Sequence, residues 1–451
     1  MIRFSCFGGV LLALTMLGLS LHTPGAGTVG TPEAKLALVV ILCISAAVYL
    51  AAVALVLRRP ADGWVAGGRA AGGRVAGGRL VWLVLLVAVA MRVPLIVAPP
   101  FLSSDVYRYV WDGRVQAAGI NPYRYIPDDP ALAALRDTAI FPHINRADYA
   151  PTIYPPMAQV VFGFVGRVWS SVTGMKVAMF GFEALAVFCL LGLLDSAGLP
   201  RERVLIYAWN PLPVWAFAGN GHIDAALGGF VALALLLRVR RWDGWAGLAL
   251  GLAVLTKFLP AVIAPVLWRR GARWRLAVVA VVTVVALYAV YSGVGWRVVG
   301  FLGGYGTEEG LDNGSGVWLL AGLTRLMPLP VQAARWYFSG LAVLLAGLGA
   351  WYAFVRRPDD AVAICGAAGV MMAVLTFGIS PHYPWYFAWL AVPCVLAPRP
   401  AVLWLATAPV LIYLDTYGDR FMWPSVIFAP AVLLALAGVF RPAAEPIRGI
   451  I

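Results

Sequence analysis

The sequence predicts an all-α membrane protein that crosses the bilayer many times. Of its 451 residues, 62% are hydrophobic and 12% are charged, and the mean hydropathy is +0.84. Soluble domains are about half apolar and about a quarter charged. Windows of about 20 apolar residues recur along the chain, which is the length that crosses ~30 Å of hydrocarbon. Because backbone polar groups in lipid must be satisfied within one segment, these windows are predicted to be helices.

The apolar windows predict about fourteen transmembrane helices. They lie near residues 4–21, 36–57, 80–98, 177–194, 203–219, 222–238, 245–256, 258–268, 275–292, 336–355, 361–378, 384–397, 401–414 and 424–440. Arginine clusters mark cytoplasmic loops, and they occupy 58–79, 201–203, 238–241, 269–275 and 356–357. This alternation predicts that both termini face the cytoplasm. Two more apolar stretches, 156–170 and 316–327, fit it only as re-entrant or surface-lying helices on the outer face.

The net charge of +13 at pH 7 does not indicate a nucleic-acid partner, because the arginines flank apolar windows as the positive-inside rule requires. Residues 58–79 repeat the motif AGGR and predict a flexible cytoplasmic Gly/Arg loop that faces membrane lipids. The first apolar window has no clear cleavage site after it, so we predict an uncleaved helix. The five cysteines lack the spacing of disulfides or metal ligands.

The long outer loop at 99–155 is where we expect the chemistry. Loops longer than about a dozen residues are usually functional or disordered, and the aromatic and proline content of this loop argues against disorder. Its aspartates are Asp105, Asp112, Asp128, Asp129, Asp137 and Asp148. Its arginines are Arg108, Arg114, Arg124, Arg136 and Arg146. The loop is therefore predicted to be a folded element, with surface helices, at the membrane boundary.

Within this loop, residues 103–125 read SSDVYRYVWDGRVQAAGINPYRY. Ser103 or Ser104 is suited to cap a helix that begins near Asp105. On that helix, Asp105, Arg108 and Asp112 fall on one side. A carboxylate pair with an arginine can activate a hydroxyl and hold a phosphate. A capped surface helix with solvated charges is the alternative interpretation.

Several segments resemble one enzyme family, and they follow each other in the family's order. They are DVYRYVWDGR with GINPY (105–123), TIYPPMAQ (152–159), WNPLPVWAFAGNGHIDA (209–225), LTKFLPAVIAPVLW (255–268) and SPHYPWYFAWL (380–390). Together they resemble GT-C glycosyltransferases. They are most similar to bacterial polyprenol-phosphate-mannose-dependent mannosyltransferases of the kind grouped in glycosyltransferase family 87. The resemblance covers roughly residues 80–400.

The resemblance implies a GT-C-like helical bundle that holds the whole chain, 1–451, as one domain. It implies a polyprenyl-phosphate sugar as donor, with mannose as the expected hexose, and a lipid-linked or envelope glycan as acceptor. Transfer would take place at the cell membrane on its non-cytoplasmic side. The family's catalytic residue is an aspartate in the first outer loop, and Asp105 occupies that position. The identities of the sugar and of the acceptor stay open.

Displacement at an anomeric carbon needs a base for the acceptor hydroxyl and a stabiliser for the departing phosphate. Asp105 is the candidate base of an inverting transfer, and Asp112 is expected to orient an arginine or the acceptor. The candidate cations for the lipid phosphate are Arg108, Arg114, Lys257 and His382. Lys257 is interpreted as the only lysine within the apolar middle of the chain, where such residues are usually functional. Snorkelling to the interface is its alternative.

The remaining candidate substrate-binding residues lie at outer turns. Tyr154 follows the long loop, and Tyr383 lies beside His382, where an interfacial aromatic belt is the alternative. His222 and Asp224 are expected to position a sugar hydroxyl or, with Asp105, to hold a divalent cation. Their spacing matches no dedicated metal motif, so a metal cofactor stays open. The glycine-rich loop 303–315 is a candidate lid.

Two other classes of function compete with the glycosyltransferase. A secondary transporter would also carry ionisable residues within the membrane, although such proteins often contain two similar halves and the sequence has no such repeat. A ligase for lipid-linked glycans, or a scaffold for envelope assembly, is the third class. The long folded outer loop favours the glycosyltransferase.

Overall fold

A computed structural model describes residues 1–21, 31–59, 71–268, 273–414 and 418–440. Within these ranges the protein consists of helices and loops without a β-strand. Seven of its helices are long and apolar enough to cross a membrane. These findings confirm the predicted all-α membrane protein. The number of crossings, about fourteen, stays a prediction.

The helices follow one another as short and long segments. The α-helices are α1 (Ile2–Ser20), α2 (Pro32–Leu57), α3 (Ala71–Val97), α4 (Asp105–Ala117), α5 (Pro156–Val168), α6 (Val172–Ser196), α7 (Leu205–Ala208), α8 (Pro211–Pro213), α9 (Asp224–Val239), α10 (Asp243–Thr256), α11 (Ala264–Leu267), α12 (Arg273–Tyr291), α13 (Leu302–Glu308), α14 (Trp318–Leu323), α15 (Ala333–Ala350), α16 (Ala361–Ile379), α17 (Ala391–Cys394), α18 (Pro400–Leu405) and α19 (Met422–Phe440). The 3-10 helices are Pro130–Leu135, Phe141–His143, Arg201–Val204, Leu259–Ile263, Ser292–Val299, Pro384–Leu390 and Ala408–Leu414, and the π-helical turns are Val214–Gly219 and Trp351–Arg356.

Several predicted crossing helices are interrupted in the structure. The predicted helix 203–219 is divided between a 3-10 turn, α7, α8 and a π-helical turn. Pro211 and Pro213 lie at its centre, and proline removes a backbone donor and breaks a regular helix. Residues 204–218 are all buried, which shelters the irregular backbone from lipid. The predicted helices 258–268 and 384–397 also contain prolines and are broken in the same way.

The Gly/Arg segment is only partly a loop. Residues 60–70 lie outside the described residues, but α3 begins at Ala71, within the predicted loop 58–79. Alanine and arginine are good helix formers, and the long apolar run from Leu80 lets the helix extend backwards over them.

A buried ion pair joins α3 to α6. Arg92 Nη2 lies 2.7 Å from Glu183 Oε1, and the two side chains are 4% and 2% exposed. Arg92 Nη1 also donates to the Ala208 carbonyl oxygen at 2.8 Å. Since the two charges neutralise each other between α3 and α6 and neither residue lines the cavity described below, Glu183 serves helix packing.

A second lysine is buried in the apolar part of the chain, so the interpretation of Lys257 as the only one is wrong. Lys176, near the start of α6, is fully buried, and its ammonium donates to the carbonyl oxygens of Leu95 and Ala98 at 3.0 and 2.6 Å. These carbonyls lie at the end of α3, where a helix leaves acceptors unsatisfied. Lys176 is therefore a helix cap within the bundle.

Helix α4 is the predicted helix of the outer loop, and it begins at Asp105 as expected. Ser104 is the N-cap residue, but its side chain makes no capping hydrogen bond; Ser103 Oγ, one residue earlier, accepts from the Asp105 amide at 3.3 Å. The helix is mostly buried, including Val106, Tyr109 and Trp111, so the alternative of a solvated surface helix is wrong.

Helix α5 packs directly on α4. A Cβ atom at Gly113 would collide with the Phe162 carbonyl oxygen, and one at Gly166 would collide with the Gly113 carbonyl oxygen. The backbones of the two helices therefore touch, which only glycine allows. This contact fixes the end of the outer loop to the helix that carries Asp105.

Candidate active site

A cavity of about 490 Å³ lies where the outer loop meets the helical bundle. Its wall comes from the start of α2, the segments 102–109 and 145–155, the turn 256–258, α13, and the segments 382–386, 412–413 and 418–420. These segments are far apart in sequence. Each adjoins helix ends that the alternation of arginine clusters assigns to the outer face.

Asp105 lies in the cavity wall at the first position of α4. Its side chain is 18% exposed, and its Oδ1 accepts a hydrogen bond from Asn145 Nδ2 at 2.8 Å. Burial raises the pKa of the Asp105 carboxyl above its ordinary value of 3.8, while the bond from Asn145 opposes that rise. A carboxylate with a raised pKa is a better proton acceptor than an ordinary surface aspartate.

Lys257 also lines the cavity, directly after α10. Its ammonium lies 2.8 Å from Asp224 Oδ1 and 3.2 Å from the centre of the Tyr386 ring. The lysine and aspartate side chains are 16% and 3% exposed. A carboxylate and an aromatic face therefore hold the ammonium at the cavity, and snorkelling to the interface stays the alternative for Lys257.

Two of the four predicted phosphate-binding cations, Arg108 and Arg114, lie outside the cavity and are already neutralised. Arg108 Nε pairs with Asp112 Oδ1 at 2.9 Å, and both side chains are buried behind the cavity wall. Arg114 pairs with Asp137 at 2.5 Å, also away from the cavity. The predicted unit of Asp105, Arg108 and Asp112 therefore does not form, since only Asp105 reaches the cavity.

His382 does line the cavity, but both ring nitrogens are occupied. Nδ1 lies 2.8 Å from Glu309 Oε2, and Nε2 lies 2.7 Å from the Gly316 carbonyl oxygen. Glu309 belongs to the glycine-rich segment 303–315, which therefore contacts the site. In the same segment, Glu308 pairs with Arg146 of the cavity wall at 2.6 Å.

Two cations of the cavity wall, Lys35 and Arg420, were not predicted. In the part of the chain that the structure describes, neither side chain forms an ion pair or a hydrogen bond. Lys35 lies in the first turn of α2, and Arg420 lies two residues before α19. No sequence pattern distinguishes these two residues, because single cations at helix ends are common.

Aromatic side chains complete the wall. Tyr154 and Tyr383 line the cavity as predicted. The Tyr383 ring stacks on Trp385 with 4.8 Å between centroids, and the Tyr154 ring meets Tyr109 edge-on at 4.9 Å. Both tyrosines pack against protein side chains, and the interfacial aromatic belt stays the alternative for Tyr383.

His222 and Asp224 lie behind the wall and do not line the cavity. His222 is fully buried, and Asp224 is 2% exposed, so neither can contact a sugar hydroxyl directly. His222 Nδ1 is 3.7 Å from Asp105 Oδ2. Among the described residues, no group of three His, Cys, Asp or Glu side chains is arranged to hold a metal ion.

The family profile described as Alpha-(1->6)-mannopyranosyltransferase, N-terminal domain, matches residues 2–272. The chain belongs to this family. The matched region contains Asp105, His222, Asp224 and Lys257, but it ends before His382 and Tyr383. The resemblance to mannosyltransferases that the sequence motifs indicated is thereby confirmed.

Individual relatives agree with the family match. Alpha-(1->6)-mannopyranosyltransferase A of Mycobacterium tuberculosis is 26% identical over 341 residues, which cover 67% of this chain and 63% of that protein. The chain thus spans less than two thirds of that relative's length. A probable alpha-(1->6)-mannopyranosyltransferase of Mycolicibacterium smegmatis is 25% identical, and the alignment covers 78% of this chain and 75% of that protein.

One solved structure is similar at a lower level. It is that of ArnT from Cupriavidus metallidurans bound to undecaprenyl phosphate, with a TM-score of 0.40 and 17% sequence identity. The alignment covers 83% of this chain and 67% of that chain.

Proposed function

We propose that this protein is a membrane mannosyltransferase that moves mannose from a polyprenyl-phosphate donor to a lipid-linked or envelope glycan. The observation that carries the proposal is the position of Asp105. Among the described residues that line the cavity, it is the only acidic one, and it faces a wall that otherwise carries cations and aromatic rings. A chain of this family with one carboxylate in such a cavity is suited to single-base sugar transfer.

The proposed step is an inverting displacement. The acceptor hydroxyl binds within hydrogen-bond reach of Asp105. Its oxygen attacks the anomeric carbon while its proton passes to the Asp105 carboxylate. The bond between the anomeric carbon and the phosphate oxygen breaks, and the lipid phosphate leaves with the electron pair. Fixed cations around the phosphate stabilise the charge that develops on it.

Lys35 and Arg420 are the proposed phosphate-binding cations. Lys257 and His382, which the sequence favoured, already contact Asp224 and Glu309. Lys35 and Arg420 line the cavity without such partners among the described residues. An arginine can bind a phosphate with two hydrogen bonds, and a lysine adds a mobile point charge.

Replacing either cation alone, by Lys35→Ala or Arg420→Ala, should weaken donor binding roughly tenfold to a hundredfold. The reason is that a hydrogen bond to a charged group contributes about 1.5–3 kcal/mol, and each 1.4 kcal/mol is about tenfold in affinity. The dissociation constant of a polyprenyl-phosphate mannose is to be measured in detergent. Arg297→Ala is the matched control, because Arg297 is an exposed arginine outside the cavity. Equal loss in the control would contradict the assignment.

The activity itself is tested by incubating purified protein with radiolabelled polyprenyl-phosphate mannose and a membrane lipid extract. We expect label to appear in a new glycolipid, whose structure then identifies the acceptor. In proteoliposomes, uptake of label without chemical change would instead favour the transporter. Donor that stays intact in both assays would contradict the proposed function.

The proposed orientation has its own test. Ala131, an exposed residue of the outer loop, is replaced by cysteine in a background without Cys6 and Cys43. An impermeant thiol reagent should label Ala131→Cys in intact cells, because segment 99–155 is proposed to face away from the cytoplasm. Ser196→Cys, near an arginine cluster, should react only after permeabilisation. The reverse pattern would invert the topology.

A further inference from the structure

Hydrogen bonds of Asn220 connect the turn that precedes α9 to the segment that precedes α4. The Asn220 Oδ1 atom accepts hydrogen bonds from the backbone amides of Phe101 and Leu102 at 3.1 and 2.8 Å. The Asn220 Nδ2 atom donates to the Trp215 carbonyl oxygen at 2.9 Å. Asn220 is fully buried, so these bonds fix the position of its turn relative to the start of α4.

Gly221 allows the same turn to approach α4 closely. Its φ is +70°, a conformation that favours glycine. A Cβ atom there would lie 2.8 Å from Val106 Cγ2, in the residue after Asp105. The turn therefore brings its next residue, His222, directly beneath the first turn of α4.

His222 is buried without a hydrogen-bond partner among the described residues. Its side chain is 0% exposed, and neither ring nitrogen has a partner there within hydrogen-bond distance. The imidazole stacks on Trp385, with 3.7 Å between ring centroids and 19° between planes. Buried polar groups that lack partners are rare in proteins because they are costly. The nearest carboxylate to Nδ1 is that of Asp105, at 3.7 Å.

We infer that His222 is a positioning residue, whose Nδ1–H donates to Asp105 Oδ2 and holds that carboxylate toward the cavity. The inference rests on the proposed function, in which Asp105 is the base. The gap is slightly longer than a hydrogen bond, and such contacts commonly tighten when substrate fills a site. Trp385 fixes the plane of the imidazole, and Asn145 binds the other carboxylate oxygen. Both oxygens of Asp105 are then directed by named side chains.

This arrangement predicts how activity depends on pH. Asp105 acts as a base only while it is ionised, so the rate falls as the pH drops through its pKa. Burial raises that pKa, and a donated hydrogen bond from His222 lowers it. The other charged or titratable groups that face Asp105 are Lys257, Arg146, Asp224, Tyr109, Tyr154, Tyr383 and Tyr413. They are unchanged in a His222 variant, so a shift isolates the histidine.

The test compares three variants. His222→Phe keeps a ring on Trp385 but removes the donor, and His222→Leu removes ring and donor. His222→Asn resembles leucine in size but restores an N–H. The measurement is the pH profile of kcat/KM for polyprenyl-phosphate mannose. For the Phe and Leu variants, its acid limb should move up by about one pH unit, which lowers kcat/KM on that limb about tenfold. For the Asn variant, the limb should stay near that of the unmodified protein.

Two outcomes would overturn the inference. One is an acid limb that moves up by the same amount in the Asn and Leu variants, which remains informative if the Phe variant does not fold. The other is an unmoved limb in all three variants. A failure of the proposed function is distinguishable from both, because the unmodified protein would then transfer no sugar, or Asp105→Asn would retain full turnover. Donor dissociation constants should not change in any His222 variant, since His222 does not line the cavity.

Discussion

Asp105→Asn is expected to lower the rate of sugar transfer by about 10²–10⁴-fold, the usual contribution of a general base. The change keeps the size of the side chain and its hydrogen bond with Asn145, but an amide cannot accept the proton of the acceptor hydroxyl. The single-turnover rate is to be measured with saturating radiolabelled donor. Donor binding and thermal unfolding should stay close to those of the unmodified protein.

Asp112→Asn is the matched control for this experiment. Asp112 lies on the same helix but is buried against Arg108 and Gln159, away from the cavity. Its replacement should cost stability and leave the transfer step largely intact. If Asp105→Asn turns over normally while Asp224→Asn is inactive, the base is Asp224. Activity in all three variants would remove the aspartate mechanism.

Arg92→Leu is expected to lower the free energy of unfolding by about 3–5 kcal/mol, because it leaves Glu183 buried and charged without a partner. Replacing both residues, Arg92→Leu with Glu183→Leu, should recover much of that loss, since no uncompensated charge remains. The measurement is thermal or denaturant unfolding in detergent. Part of the loss persists in the double variant because Arg92 also binds the Ala208 carbonyl.

An exposed ion pair supplies the comparison. Arg201 and Asp195 lie 2.5 Å apart, with side chains 57% and 39% exposed. Such pairs contribute about 1 kcal/mol or less, so Arg201→Leu should shift unfolding only slightly. If Arg92→Leu behaved like Arg201→Leu, the pair between α3 and α6 would not carry the stability that its burial predicts.

The sequence predicted part of the site because local patterns identify helix ends. Asp105 follows a serine cap, and Lys257 and His382 lie beside prolines that interrupt helices. Such positions collect at one side of a bundle, and all three line the cavity. The outer-loop helix was predictable for the same reason, since its cap and its terminating glycine are neighbours of its ends.

The pairing of charges was not predictable in the same way. Helical spacing put Arg108 and Asp112 on the side of Asp105, but a helix face is broad and α5 covers most of it. Asp112 lies two turns along α4 from Asp105, and its carboxylate accepts a hydrogen bond from Gln159 of α5. Arg114 forms an ion pair with Asp137, which lies 23 positions later in the sequence. Because such partners come from distant segments, spacing alone cannot separate a cation that is free to bind phosphate from one already neutralised.

The interrupted helices show a related limit. Hydropathy finds apolar windows, and it does not distinguish a lipid-facing helix from a buried segment that has lost its regular hydrogen bonds. Residues 204–218 are apolar enough to resemble a plain crossing helix, yet they change from α to π geometry within the core. Pro211 and Pro213 were the available local indication.

The backbone contact between Gly113 and Gly166 bears on how new specificities can be engineered in this protein. The outer loop cannot be exchanged by itself, because its helix α4 packs backbone against backbone on α5, which lies beyond the end of the loop. A chimaera that exchanged only residues 99–155 with a relative would pair a foreign α4 with the native α5, and any side chain larger than hydrogen at either position would force the two helices apart. The smallest segment that can be exchanged intact is therefore 99–168, which carries both glycines and the interface they form.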